Sequence, residues 1–542
     1  MKENILKNKT YLYLTEFFSG MSVMAVELAA SRLMAPYFSS SQIVYTIIIG
    51  TVMIAMALGN VYGGRSADKN PDPAVLYRRI LIAAAWIAAI PFAGRFLILA
   101  ISAALVLTVN TNFLIIAAFA SCMIIFVFPL FLLGTVTPSL VRYIIENTEE
   151  SGEIVGKLGA FNTVGSIIGT FLPTFVTIPT VGTAATYIIF SGVLLILALL
   201  YFFSIKKITK LCIITIIIFV ICAVIGSSVS FAFWDPELAY EGESVYNYLQ
   251  VKESDDRVVL STNVLFGVQS VKMKTDELTG MYYDYALAAP AMAMEGRDDK
   301  LDILVLGNGT GTFAAACQKY YPGCTVTGVE IDGKISDLAY EYFDMSDDVE
   351  IYEYDGRAFL QAVKDKYDVI MVDAYQDITI PFQMSSLEFF SMVYDHLKEN
   401  GSVVVNMNMH SDGEGAINEY LTDTILECFD TAYSVDVPYN SNREVFMVKE
   451  GDPKDRLANG MALISHGVLS DTQRRLVRQL GTVYSNMEEC SASGLSHVLT
   501  DDKAPVEILG MSMIDSLITE EISYYRGIYD EGGIDALMNA LL

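Results

Sequence analysis

The residues best suited to chemistry lie in the C-terminal half, where glycines and acids follow apolar runs at regular intervals. The run Leu304-Val-Leu-Gly-Asn-Gly-Thr-Gly-Thr312 places Gly307, Gly309, Thr310 and Gly311 in a turn between an apolar strand and a helix. Missing side chains there let the backbone approach a ligand and turn the helix N-terminus towards it. Val329-Glu-Ile-Asp332 ends the next strand in Glu330, Tyr354-Asp-Gly356 ends the third in Asp355 beside Gly356, and Val369-Ile-Met-Val-Asp-Ala-Tyr375 ends the fourth in Asp373. Glycine turns alone are weak signals, but with acids ending successive strands they indicate a nucleoside site in the crevice at the strand ends. A carboxylate such as Asp373, facing the same crevice, is suited to general-base work.

These residues need a sheet to hold them. Short alternating strands are expected at 245–251, 257–261 and 268–274, a small β unit. Beyond Pro290, strands at 303–306, 325–329, 350–354, 369–372 and 402–406 alternate with helices at 313–320, 333–342, 358–364 and 387–397. That alternation predicts a doubly wound, Rossmann-like α/β sheet of methyltransferase type. Residues 461–467 and 472–480 have helical character. The expected division is a helical membrane domain at 1–234, the small β unit at 235–290, the nucleoside-binding domain at 291–450 and a helical extension at 451–542.

Composition separates the halves independently. Residues 1–232 hold 14 of the 35 Lys+Arg and 9 of the 63 Asp+Glu, near +5, whereas the remainder holds 21 and 54, near −33. A mean hydropathy of +0.41 is too apolar for an ordinary soluble enzyme, and the excess lies before Trp234. Apolar stretches long enough to cross a bilayer, about 20 residues each, are read at 11–35, 42–63, 78–107, 112–141, 157–179, 184–204 and 211–234, seven spans in all. The third contains Pro91, Gly94 and Arg95, features of a kink or a re-entrant turn. The 7 cysteines show no CxxC spacing, and with 4 histidines they suggest neither a disulfide framework nor a metal site; Cys122, Cys212 and Cys222 read as membrane-core residues.

Basic residues precede the first span (Lys2, Lys7, Lys9) and occupy alternate connections: Arg65, Lys69, Arg78 and Arg79, then Arg142 and Lys157, then Lys206, Lys207 and Lys210. The connections at 37–42, 110–112 and 179–183 carry no charge, so the N-terminus is expected in the cytoplasm. Seven spans then place the acidic half outside, whereas a nucleoside donor favours the cytoplasm; both readings stand on the sequence. Glu16, Glu27 and Arg32 lie inside the first apolar stretch, which argues for a retained helix rather than a cleaved signal. Such charges either line a polar cavity or pair internally to fix helix packing. Gly165-x3-Gly169 after Asn162, and Gly59-x3-Gly63, read as close helix contacts.

At this point several landmarks agree in order: Glu243-Ser-Val-Tyr-Asn-Tyr248, Tyr282-Tyr-Asp284 before Pro290, the glycine turn, Glu330, Asp355-Gly356, Asp373 and Leu499-Thr-Asp-Asp-Lys-Ala-Pro-Val-Glu507. With Glu27-x4-Arg32-x3-Pro36-Tyr-Phe and Gly134-x3-Pro138-x3-Arg142, the chain over about residues 11–510 resembles the membrane-fused spermidine synthases, polyamine aminopropyltransferases. The resemblance implies decarboxylated S-adenosylmethionine, or S-adenosylmethionine, as donor. The glycine turn with Thr310, Glu330 on the ribose, Asp355 on the adenine amino group, Gly356 and Asn247 would contact it. Asp373 is then the base and ammonium ligand, while Tyr282, Tyr375, Gln376, Asp377 and Tyr439 (in Pro438-Tyr439) line the amine site.

Two positions depart from the family pattern. Thr310 stands where an acid contacting the donor amine is usual, which weakens discrimination against ordinary S-adenosylmethionine, and Gln376 stands where a second acid grips a diamine. Asp501 and Asp502 are read either as extra cation ligands or as helix caps. The resemblance implies a polyamine or other amine partner, membrane lipid around the helices and a homo-oligomer, at least a dimer. The acidity of the soluble part, with a net charge of −28 overall, argues against a nucleic-acid partner. Two other classes compete: an S-adenosylmethionine-dependent transferase acting on a lipid or membrane-delivered acceptor, and a polyamine transporter or sensor with a non-catalytic soluble half.

Overall fold

The computed structural model describes residues 8–38, 40–106, 109, 112–145, 151–226, 231, 235, 237–264, 268–296, 299–373, 380–407, 415–438, 441–495, 497–510, 523, 526–528 and 531–533. The chain forms two compact units. One is built from residues up to Asp235 with Gly242–Tyr248, the other from Leu249–Glu520 with Pro236–Glu241.

The first unit is helical: α1 (Lys9–Phe38), α2 (Gln42–Lys69), α3 (Pro73–Val106), α4 (Phe113–Gly134), α5 (Val136–Ile144), α6 (Ser151–Leu172), α7 (Ile178–Ser204) and α8 (Lys210–Ile225). By length and composition, five segments among the described residues are able to cross a membrane: Lys9–Phe38, Gln42–Lys69, Pro73–Leu105, Phe113–Ile144 and Ser151–Ser204. The stretches read at 157–179 and 184–204 fall in that last run, whose α-helical pattern is interrupted by a π turn at Pro173–Thr177 and by Gly182 at φ 81°. The last stretch yields a helix of 16 residues. The third is one continuous helix with Pro91 inside it.

Small residues set the close contacts. A Cβ on Gly165 would lie 2.0 Å from the Phe17 carbonyl oxygen and one on Gly169 2.1 Å from that of Met21, so α6 meets the α1 backbone directly. Glu16 joins three helices, accepting from Thr137 Oγ1 at 2.6 Å and Asn162 Nδ2 at 2.7 Å. The Glu243 carboxylate accepts from Thr183 N at 2.8 Å and Thr183 Oγ1 at 2.7 Å, closing the backbone break at Gly182.

A four-stranded sheet in the order β1 (Leu238–Glu243), β2 (Tyr248–Glu253), β3 (Arg257–Ser261) and β4 (Ser270–Met273) precedes the large sheet. The strand expected at 245–251 is split: Ser244 Oγ accepts from Tyr246 N and Asn247 N, a local turn that stops pairing before β2 begins. Then come α9 (Tyr282–Ala286), α10 (Ala288–Ala293), β5 (Asp302–Leu306), α11 (Thr312–Tyr320), β6 (Thr325–Glu330), α12 (Gly333–Tyr342), β7 (Glu350–Glu353), α13 (Gly356–Ala362), β8 (Tyr367–Val372), α14 (Leu387–Asp395), β9 (Leu397–Met407), α15 (Ile417–Leu426), β10 (Ala432–Asp436), β11 (Arg443–Val448), α16 (Pro453–Ser465), α17 (Asp471–Asn486) and β12 (Glu488–Glu489). The sheet order is β12-β10-β11-β9-β8-β5-β6-β7.

Five strands, β7 to β9, are parallel, and β11 inserts antiparallel between β9 and β10. Their apolar runs reflect burial on both faces. Ile303, Val305, Val369, Met371 and Val404 pack on one face with α9, α10 and α17; Leu304, Leu306, Ile370, Val372 and Val405 pack on the other with α14 and α15. Because β5 pairs with both β6 and β8, chain order reverses at β5, and a crevice opens beyond the strand ends.

Candidate active site

The glycine turn leaves β5 with Gly307, Gly309 and Gly311 all in the left-handed region, at φ 86°, 53° and 78°. Only glycine takes such a run without strain. A Cβ on Gly311 would also lie 2.7 Å from Met345 Sδ, so the turn is tight as well as bent. The Gly307 and Asn308 amides both bond the Val329 carbonyl, fixing the turn to the end of β6. Thr310 is buried, its hydroxyl 3.2 Å from that of Thr312, which in turn donates to the Val271 carbonyl.

Glu330 ends β6 with each oxygen holding one backbone amide: Gly309 N at 2.8 Å and Asp332 N at 3.0 Å. That grip orients the carboxylate while leaving lone pairs on both oxygens for hydroxyl donors. Burial pushes its carboxyl above the ordinary range. Asp332 caps α12 through Lys334 N, and Asp355 caps α13 through Ala358 N at 2.8 Å. Gly356 faces Met384, whose Cε would be 3.3 Å from an added Cβ.

Asp373 leaves β8 with its amide bonded to the Leu306 carbonyl, placing it beside the glycine turn. Tyr282 donates to Oδ2 at 2.6 Å and Asn406, near the end of β9, donates to Oδ1 at 2.7 Å. Asn442 in turn donates to Asn406 Oδ1 at 2.8 Å, fixing the amide's orientation. Desolvation raises Asp373 to about 7, against the lowering effect of Tyr282 and Asn406, with the Glu330 charge adding to the rise. Such a carboxylate is half ionised at neutral pH and able to take a proton. Asp284, behind Tyr282, is raised by burial to about 6 and serves the loop instead, accepting from Gly280 N and Thr279 Oγ1.

The structure thus gathers Gly307, Gly309, Thr310, Gly311, Glu330, Asp355, Gly356, Asp373 and Tyr282 at one edge of the sheet. Asn247 belongs to the helical unit's segment Gly242–Tyr248. Tyr375, Gln376, Asp377 and Tyr439 lie outside the described residues. Asp501 is not a cation ligand: Arg357 grips it in a two-pronged pair at 2.6 Å and Ser386 donates to it, which ties the segment after Leu499 to α13 and α14. Sequence reasoning missed Asn406 and Glu444. Glu444 is wholly buried on β11, directly across the ladder from Asn406, and neither carboxyl oxygen has a hydrogen-bond partner among the described residues. The signal was present as a single acid opening an apolar run, Glu444-Val-Phe-Met-Val448.

None of Glu330, Asp373 and Glu444 is paired with a Lys or Arg among the described residues, although Glu330 and Glu444 are buried and Asp373 is half-buried. Buried carboxyls without a cation are costly when ionised, and a cationic ligand would offset that cost.

The sheet order, the glycine turn and the strand-end acids define a methyltransferase-like α/β domain. Residues 283–455 match the spermine/spermidine synthase domain. A probable polyamine aminopropyl transferase of Bifidobacterium longum is 50% identical over 353 residues, covering 63% of this chain and 78% of that protein. A Vibrio vulnificus polyamine aminopropyltransferase is 24% identical over 225 residues, 40% of this chain and 73% of that one. Among solved structures, the spermidine synthase of Thermotoga maritima aligns over 45% of this chain and 88% of its own, at 18% identity and a TM-score of 0.36. The chain belongs to the polyamine aminopropyltransferase family and is a transferase.

Proposed function

We propose that the protein is a membrane-embedded aminopropyltransferase that moves the aminopropyl group of decarboxylated S-adenosylmethionine to an amine, with Asp373 as ammonium ligand and base. The observation that carries this is Asp373 itself: half-buried, oriented by Tyr282 and Asn406, and with its carboxyl raised to about 7 by desolvation. The amine nitrogen attacks the carbon bonded to the sulfonium and the carbon–sulfur bond breaks. Sulfur keeps the electron pair, giving methylthioadenosine, and the proton shed by the nitrogen passes to Asp373. Glu330 holds the ribose, Asp355 meets the adenine amino group and the glycine turn admits the nucleoside.

Membrane embedding rests on the helical unit. The run Ser151–Ser204 holds 54 residues, about 80 Å of helix against about 30 Å of hydrocarbon, so it fits two crossings divided near Gly182. With the other four segments this supports six crossings; Lys210–Ile225, a shorter apolar helix of 16 residues, coincides with the start of the seventh stretch read in the sequence.

Thr310 supports a second reading, transfer from ordinary S-adenosylmethionine to a membrane-delivered acceptor, because an uncharged side chain does not repel that donor's carboxylate. The test is product analysis. Purified full-length protein is incubated with either donor and a panel of diamines, polyamines and lipid extract, and the released nucleoside is followed by mass spectrometry. Methylthioadenosine is expected; adenosylhomocysteine alone overturns the proposal.

A further inference from the structure

The acceptor side of the site has a second carboxyl that neither the glycine turn nor the strand-end acids require. Glu444 opens the apolar part of β11 and is 0% exposed, with both oxygens unpartnered among the described residues. Antiparallel partners in a ladder point to the same face, and Glu444 pairs with Asn406, whose amide holds Asp373. That face is the one on which Val404 and Phe446 pack with Tyr282 and Tyr283, so Glu444 shares the Tyr282 side of the sheet. Its carboxyl is driven well above the ordinary range by burial and then by Asp373, so the two acids are close enough to interact. A carboxyl with no donor, no cation and no water access is expensive to keep and does nothing for the packing around it.

Strand spacing sets the scale. β8 and β11 are separated by β9 alone, two spacings or roughly 10 Å at the backbone. Asp373 reaches in from one side and Glu444 from the other, with Asn406 between them. Two carboxyls disposed this way suit a chain bearing an ammonium at each end and leave a monoamine with one charge unanswered.

Building on the aminopropyl-transfer reading, we propose that Glu444 binds the second ammonium of a di- or polyammonium acceptor and thereby selects such acceptors over monoamines. The attacking nitrogen lies at Asp373 while the remote ammonium is received by Glu444, which gives up its own proton as the cation arrives. Glu444 is therefore a specificity residue and takes no part in bond breaking.

The test compares 1,4-diaminobutane with n-butylamine on wild-type and Glu444→Gln full-length protein. In the wild type the diamine is favoured in kcat/KM; in Glu444→Gln that preference falls at least tenfold, through the KM of the diamine, with the KM of the donor unchanged. Equal losses for both amines, or an unchanged preference, overturn the proposal. Calorimetric titration of the amines into wild-type protein in two buffers of different ionisation enthalpy provides a reading independent of turnover and of the variant's folding. The diamine is expected to release about one proton more than the monoamine on binding; equal release overturns the assignment. If wild-type protein forms no methylthioadenosine with any amine, the aminopropyl reading fails, and the calorimetric comparison still decides the role of Glu444.

Discussion

Tyr282→Phe probes the coupling that sets the base. The hydroxyl donates to Asp373 Oδ2 at 2.6 Å, and that bond lowers the carboxyl from the still higher value burial alone would impose. The substitution keeps the ring and its contact with Tyr283, 4.0 Å between centroids, and removes only the donor. A hydrogen bond to a charged partner contributes about 1.5–3 kcal/mol, equivalent to roughly one to two pKa units. Asp373 then moves from about 7 to roughly 8 or above, and its ionised fraction at pH 7 falls from about one half to about one tenth. The assay is methylthioadenosine release as kcat/KM against pH, with the same amine for both proteins so that its own titration cancels. The acid limb is expected to shift alkaline by at least one unit, with activity down about fivefold at pH 7 and recovering above pH 9. A loss of the same size at every pH, with the limb unmoved, refutes the coupling.

Further outcomes follow from the same geometry. Asp373 has its folded pKa raised to about 7 above an ordinary 3.8, so folding favours its protonated form and the ionised group destabilises the fold as pH rises between those values. Asp373→Asn should therefore gain stability over wild type from about pH 4 to 7, approaching roughly 4 kcal/mol, and hold it above; melting temperatures at pH 5 and pH 8 show a gap that widens with pH. Glu330→Gln should raise the donor KM roughly 10- to 100-fold while leaving the amine KM unchanged, which initial-rate kinetics resolves. Gly165→Val has no room, since its Cβ meets the Phe17 carbonyl oxygen at 2.0 Å; α1 and α6 must part, costing about 1–3 kcal/mol or more, visible as a lower melting temperature in detergent.

The placement of the glycine turn and the acids was legible in the sequence because each ends or follows a parallel strand that the chain reaches in turn. Gly307 to Gly311, Glu330, Asp355 and Asp373 follow β5, β6, β7 and β8, and the crevice at their ends is a property of the topology. The juxtaposition of Glu444, Asn406 and Asp373 was not, because it depends on register. Nothing local says that Glu444 faces Asn406; that follows from β11 entering antiparallel beside β9, a pairing between residues far apart in the chain. Asp501 stayed open between cation ligand and helix cap for the same reason, since its partner Arg357 lies 144 residues away. In the helical unit, apolar length was readable, but the π turn and the Gly182 break within Ser151–Ser204 depend on contacts such as Glu243 with Thr183. The early strand was misplaced because the Ser244 hydroxyl competes with the ladder for the Tyr246 and Asn247 amides.

The central claim is that Asp373 is the base for aminopropyl transfer, and single-turnover methylthioadenosine release by wild-type and Asp373→Asn protein, with donor affinity measured in parallel, tests it most directly. The account predicts a rate lower by roughly 10²- to 10⁴-fold with donor affinity unchanged. Release within tenfold of wild type, or a loss explained entirely by weaker donor binding, contradicts it.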